Sequence, residues 1–131
     1  MIRPRVLLAD DHPALLEATT ALLKPQFDVV GTATNGAILV SEALRLCPDV
    51  IVADITMPVL SGIDAAHRLR ESALSAKVVF LTIHSEEQFM NACMAAGALG
   101  YVLKSHMRAH LIPAIRAALI GETYVSPFVP P

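Results

Sequence analysis

The chain of 131 residues predicts an α/β fold, a doubly wound parallel sheet of five strands with helices on both faces. Three observations carry that reading. Five short runs rich in Val, Ile and Leu show little polar alternation, an amphipathic segment follows each, and acidic or hydroxyl residues gather where the runs end. Runs without alternation fit strands buried on both faces. Strands separated by helical patterns pair in parallel with right-handed crossovers.

The first run is RVLLA (5–9). The helix after it can begin with Pro13 and places Leu15, Ala18 and Leu22 on one face before Pro25. FDVVGTA (27–33) is the second strand, followed by a face of Val40, Ala43, Leu44 and Cys47 before Pro48. DVIVA (49–53) is the third, and Ser61 caps a helix that turns Ala65, Ala66, Leu69 and Ala73 inward. KVVFL (77–81) precedes SEEQ (85–88), a capping-box signature, and a face of Phe89, Ala92, Cys93 and Ala96 that stops at Gly97. LGYVL (99–103) leads into a last helix with Leu111, Ile115, Ala118 and Leu119, stopped by Gly121. Pro113 within it predicts a kink or a late start. The tail GETYVSPFVPP (121–131), with three prolines in its last five residues, predicts no sixth element.

A hydrophobic content of 54% with 17% charged residues reads as a globular domain and not as a disordered chain. No apolar run approaches the ~20 residues of a membrane span, and the apolar stretch of MIRPRVLLADDH is too short for a signal peptide. A net charge of -2 without a block of Lys or Arg argues against nucleic-acid binding by this segment. Cys47 and Cys93 lie far apart in apolar helical patterns and read as buried, reduced thiols of a cytoplasmic protein.

The strand ends carry the chemistry. Asp10 and Asp11 end the first strand, Asp54 the third, Thr82 the fourth and Lys104 the fifth. In a parallel sheet these ends share one edge, where open α/β sheets bind ligands. Two carboxylates about 4 Å apart repel by roughly 4 kcal/mol at an effective dielectric near 20, so such a cluster needs a cation or must take up protons. Oxygen donors with no His or Cys among them favour a hard cation, and Mg²⁺ fits. With Mg²⁺ on Asp10 and Asp11, Asp54 becomes a candidate nucleophile toward a phosphoryl group, and Thr82 and Lys104 bind its oxygens.

Taken singly, each residue has a plainer reading. Asp11 before HP is a helix cap, Asp54 a loop carboxylate, Thr82 a strand end, Tyr101 a half-buried strand tyrosine and Lys104 a surface lysine. Joint placement overrides these. His12 and His84 border the cleft and read as solvated loop residues. His106 and His110 stand four apart but lack a third ligand, and His67 reads as packing or surface.

LLADDH (7–12), DITMPVLSG (54–62), LTIHS (81–85) and GYVLKS (100–105) occur in that order. Together they resemble the receiver domain of two-component response regulators, over residues 4–121. LIPAIRAALIGETYVSP (111–127) resembles the LuxR/NarL-type subfamily, which carries a C-terminal helix-turn-helix. The resemblance implies a flavodoxin-like (βα)5 sheet of order 2-1-3-4-5. It implies phosphorylation of Asp54 by a sensor histidine kinase, with Mg²⁺ on Asp10, Asp11, Asp54 and the backbone carbonyl of Thr56. Thr82 and Lys104 would grip the phosphoryl group, and Thr82 with Tyr101 would form the switch, Tyr101 turning inward on phosphorylation. It further implies slow autodephosphorylation without turnover catalysis, a homodimer on phosphorylation, no membrane contact, and DNA contact only through a domain beyond this chain. Residues 122–131 would be a tail or the start of the linker to that domain. The alternative is a single-domain regulator acting by protein–protein interaction.

Two positions depart from the receiver pattern. Ser105 stands where many receivers have proline, so a cis bond there would cost about 3 kcal/mol. Ile83 is bulkier than the small residue usual after the threonine and narrows access to the site. Competing classes fit less well. A haloacid-dehalogenase-like phosphatase needs a second acid where Thr56 stands, and a flavodoxin-like cofactor binder needs a phosphate loop after the first strand. A degenerate receiver would have lost some of the five pocket residues.

Overall fold

The computed structural model describes residues 2–127. The strands are β1 (Arg5–Ala9), β2 (Asp28–Ala33), β3 (Val50–Ala53), β4 (Lys77–Thr82), β5 (Gly100–Leu103) and β6 (Tyr124–Val125). The helices are α1 (Pro13–Leu23), α2 (Gly36–Leu46), α3 (Gly62–Glu71), α4 (Glu87–Ala95) and α5 (Met107–Leu119). All pairings are parallel, in the order β2-β1-β3-β4-β5-β6. The first five strands follow the expected order.

Side chains alternate across each strand and build two cores. Leu7, Ile51, Phe80 and Tyr101 pack with Leu39, Ala43, Ala65, Leu69 and Cys93. Val6, Leu8, Val52, Val79 and Val102 pack on the other face with Leu16, Leu23, Leu111 and Ile115. A strand with a core on each side has no room for polar alternation, which is why the runs read as continuous.

The tertiary structure corrects several local readings. On α1 the buried face is Leu16, Thr19 and Leu23, one residue on from Leu15, Ala18 and Leu22. Thr19 can turn inward because its hydroxyl donates to the Leu15 carbonyl at 2.8 Å. On α2, Leu39 and Ala43 are buried while Leu44 and Cys47 are exposed. Cys47 ends the helix in the left-handed region (φ 48°), its N–H on the Ala43 carbonyl, so only Cys93 is a buried thiol. Ser61 caps α3 as expected, accepting from the Asp64 N–H at 3.1 Å, but Ala73 lies exposed past the helix end.

The SEEQ capping box does not form. Glu86 is the N-cap without a side-chain bond, and Ala92 is exposed. The chain just before is held elsewhere: the His84 N–H donates to Thr82 Oγ1 and its carbonyl accepts the Tyr101 hydroxyl. The helix stops at Gly97 (φ 95°), as read. α5 does not start late; it runs from Met107 through Pro113, preceded by a 3-10 turn at Lys104–His106. The carbonyl that Pro113 leaves without a helical donor belongs to exposed Ala109, where water can serve it. No peptide bond among the described residues is cis, Lys104–Ser105 included.

The tail does supply a sixth strand. Tyr124 and Val125 pair with Gly100 and Tyr101, and the Ser126 N–H continues onto the Tyr101 carbonyl at 2.9 Å. Without them the β5 edge would leave backbone groups unpaired. Residues 128–131 of the tail lie outside the described residues.

Candidate functional site

The sheet brings the strand ends together. β1 and β3 run in register from Val6↔Val50 to Ala9↔Ala53, so Asp10 and Asp54 leave the sheet side by side. The Asp54 N–H donates to the Ala9 carbonyl at 3.0 Å, and the Asp10 N–H to the Ala33 carbonyl at 3.0 Å. Gly62 allows α3 to start against this turn: a Cβ there would sit 1.9 Å from the Asp54 carbonyl oxygen.

Lys104 joins the two acids. Its Nζ lies 2.8 Å from Asp10 Oδ2 and 3.0 Å from Asp54 Oδ2, and both carboxylates are only 6% exposed. The other Asp54 oxygen accepts the Ile55 N–H at 2.7 Å. Burial raises the Asp54 pKa above the ordinary carboxylate value, against the lowering effect of Lys104, and the charge of Asp10 adds to the rise. Burial opposes the charge on Lys104, yet its bonds and attraction to Asp10 and Asp54 together hold its pKa above the usual lysine value.

Asp10, Asp11, His12 and Asp54 each place one ligand atom within 4.8 Å of the others, which fits a divalent cation. His12 Nδ1 is 3.0 Å from both Asp10 Oδ1 and Asp11 Oδ1, and its backbone N–H donates to Asp10 Oδ1 at 2.9 Å. His12 stays largely solvated, its side chain 69% exposed, whereas His84 is not a solvated loop residue. It stacks on Phe89 with centroids 4.1 Å apart, and its Nε2 lies 3.0 Å from Thr56 Oγ1. Nothing in the local pattern around His84 signals these contacts, which join it to Phe89 of α4 and to Thr56 in the loop after β3. For His12 the signal was there: one residue separates it from Asp10 across a turn.

The other expected residues fall as follows. Thr56 is exposed and lines the cleft together with Asp11, Asp54, His84 and Lys104. That cleft has a volume of about 690 Å³ and an apolar side formed by Ala14, Leu15, Ala18 and Ile83. Ile83, 74% exposed, stands at the cleft, where a narrowing residue was expected. Thr82 is fully buried next to the site, with its oxygen engaged by the His84 N–H at 3.1 Å. Tyr101 is fully buried here, and its hydroxyl donates to the His84 carbonyl at 2.6 Å. Burial, with the nearby Cys93, Glu86 and Asp54, raises its pKa. His106 and His110 meet edge to face at 5.8 Å, and His110 Nδ1 engages the Tyr124 hydroxyl at 2.6 Å.

Fold and site together define a doubly wound α/β domain with a cation-competent carboxylate–lysine pocket at its strand ends. The family of response regulator receiver domains matches residues 6–116, and the chain belongs to it. It is 36% identical over 125 residues to the response regulator GacA of Pseudomonas viridiflava, covering 94% of this chain and 58% of that protein. Identity to the transcriptional regulatory protein YxjL of Bacillus subtilis is 40% over 120 residues, covering 90% and 55%. With the nitrate/nitrite response regulator NarL of Escherichia coli it is 34% over 128 residues, covering 96% and 59%. The chain thus spans less than two thirds of these relatives. The NarL receiver domain of Mycobacterium tuberculosis superposes with a TM-score of 0.89 at 28% identity, over 93% of this chain and 100% of that one. A LuxR-family regulator from Aurantimonas sp. SI85-9A1 does so with 0.90 at 34% identity, over 95% and 91%. Receiver domains are signalling modules that generally bind Mg²⁺ at such an acidic pocket. Among the described residues no helix is long and apolar enough to cross a membrane.

Proposed function

We propose that this domain is a switch controlled by phosphorylation of Asp54. The observation that carries the reading is Lys104 bridging Asp10 and Asp54, 2.8 and 3.0 Å away. A carboxylate held by one ammonium, beside two further acids, is built to accept a dianion once a divalent cation offsets the charge. Mg²⁺ on Asp10, Asp11, Asp54 and the Thr56 carbonyl would shield the phosphoryl oxygens and draw charge from the phosphorus. An Asp54 oxygen forms the new P–O bond while the donor's bond to phosphorus breaks, P–N for a phosphohistidine and P–O for an acyl phosphate. Lys104 follows the charge from carboxylate to phosphoryl oxygen, and the Thr82 hydroxyl turns from the His84 N–H to another. Tyr101 already occupies the inward place, so the movement in this chain centres on Thr82, His84 and the start of α4.

The phosphodonor is a sensor histidine kinase, and the apolar side of the cleft, Leu15, Ala18 and Ile83, suits the approach of a partner helix. Hydrolysis of the acyl phosphate is slow, a reset and not a turnover activity. Residues 4–121 together with β6 (Tyr124–Val125) form the receiver, and the rest of 122–131 begins the linker to a helix-turn-helix domain that contacts DNA, with a homodimer formed on phosphorylation in the cytoplasm. Relatives named as transcriptional regulators, of which this chain covers little more than half, support that output.

Incubation with Mg²⁺ and acetyl phosphate tests the reading by mass analysis. One acid-stable, base-labile phosphoryl group is expected on the chain and none on Asp54→Asn. Undiminished labelling of Asp54→Asn would overturn the assignment.

A further inference from the structure

The tail reaches back to the pocket. In a parallel sheet each crossover helix runs against the strands, so α5 ends at the edge away from Asp54. Gly121 (φ 79°) then turns the chain, and β6, parallel to β5, carries it to the edge where the strands end. There the Ser126 N–H donates to the Tyr101 carbonyl at 2.9 Å, and the Ser126 hydroxyl accepts the Leu103 N–H at 3.0 Å. Both residues are buried, Ser126 at 1% exposure and Leu103 at 5%. Leu103 pairs with Thr82 across the sheet and adjoins Lys104, whose Nζ bridges Asp10 and Asp54. Tyr101 donates its hydroxyl to the His84 carbonyl, and the His84 N–H engages the Thr82 oxygen. One residue of the tail thus fixes two β5 peptides next to both groups that would grip a phosphoryl group. On its other side β6 is anchored to α5, by the Tyr124 hydroxyl at 2.6 Å from His110 Nδ1.

We propose, resting on the phosphorylation reading above, that Ser126 is a positioning residue for the phosphoacceptor pocket, and that docking of the tail and phosphorylation of Asp54 favour each other. Ser126 holds the Leu103–Lys104 segment, so Lys104 meets the phosphoryl group with little reorganisation. Coupling of this kind is reciprocal: the segment that positions Lys104 also senses the phosphoryl group.

The test is NMR titration of the chain with BeF₃⁻, a phosphoryl analogue, in the presence of Mg²⁺, with amide exchange read in the free and loaded states. Ser126→Ala is expected to lose about fivefold or more in analogue affinity, and Tyr124→Phe to lose less, because it loosens β6 from α5 alone. Ser72→Ala removes a hydroxyl from the Leu69 carbonyl at the end of α3, away from the pocket, and should leave the affinity within about twofold. Loading of the parent should slow exchange of the Leu103 and Ser126 amides by about the factor lost in Ser126→Ala, which a merely structural serine would not produce. Affinity unchanged in both tail variants, an equal loss in Ser72→Ala, or exchange unaltered or faster on loading would overturn the role of Ser126 while leaving phosphorylation standing. A parent that takes up neither BeF₃⁻ nor a phosphoryl group from acetyl phosphate would overturn the proposed function and this inference together.

Discussion

Lys104→Met removes one cation from between two buried acids and keeps the apolar stem. At 2.8 and 3.0 Å from Asp10 and Asp54, the ammonium gains about 5 to 6 kcal/mol of attraction per contact at an effective dielectric near 20. Much of that offsets the desolvation of three charges, several kcal/mol each. The substitution cancels the attraction but leaves Asp10 and Asp54 buried, and breaking a buried pair in this way costs about 3 to 5 kcal/mol. The cleft admits water, so the lower end applies, about 3 kcal/mol. At this chain length that corresponds to a fall in Tm of about 10 °C. Urea unfolding at pH 7.5 in EDTA measures it, with Asp10→Asn added to the variant expected to restore part of the loss.

The deficit also has a pH signature. Burial already raises the Asp54 pKa, and the variant loses the opposing effect of Lys104. A carboxyl whose folded pKa exceeds its unfolded one binds more protons when folded, so stability falls as pH rises through that window. The variant should come nearest to the parent at acidic pH and fall behind it toward neutrality. The Lys104 contribution, with a raised ammonium pKa, stays complete at neutral pH and is lost only in strongly alkaline solution. A deficit below about 1 kcal/mol at pH 7.5, the range of surface pairs, would refute the reasoning.

Three further outcomes are expected. Asp11→Ala relieves like-charge repulsion, so metal-free Tm should hold or rise, while the gain of about 1.4 kcal/mol that Mg²⁺ gives at ten times its Kd should vanish; a variant still stabilised by Mg²⁺ would remove Asp11 from the ligand set. Ser126→Ala strips the 3.0 Å partner from the Leu103 N–H at a buried position, for a loss of about 1 to 3 kcal/mol and faster amide exchange at Leu103; unaltered exchange would mean the tail does not hold the β5 edge. Cys93 is fully buried and its thiol is pushed up to about 12 by burial, so a thiol reagent at pH 8 should react with exposed Cys47 and reach Cys93 only on unfolding; two fast thiols would contradict the packing of α4.

Strand positions, their order of appearance, and the acid, hydroxyl and lysine at their ends were legible in the chain itself. Strands buried on both faces must be continuous apolar runs, and a parallel sheet must bring their carboxyl ends to one edge, so Asp10, Asp54 and Lys104 could be assembled by topology alone. What periodicity could not decide was which of two apolar faces α1 buries. Leu15 and Leu16 are equivalent in hydropathy, and the choice fell on the face where the Thr19 hydroxyl finds the Leu15 carbonyl. The freed face lines the cleft. Nor could local pattern place His84, whose partners Thr56, Phe89 and Tyr101 come from three other segments, or the two-residue β6, which exists because β5 offers an edge to pair with. His12 lay within reach of sequence reasoning, one residue from the acid pair, yet its ring could have faced solvent. Only the backbone turn that brings its own N–H onto Asp10 aims the imidazole at both carboxylates.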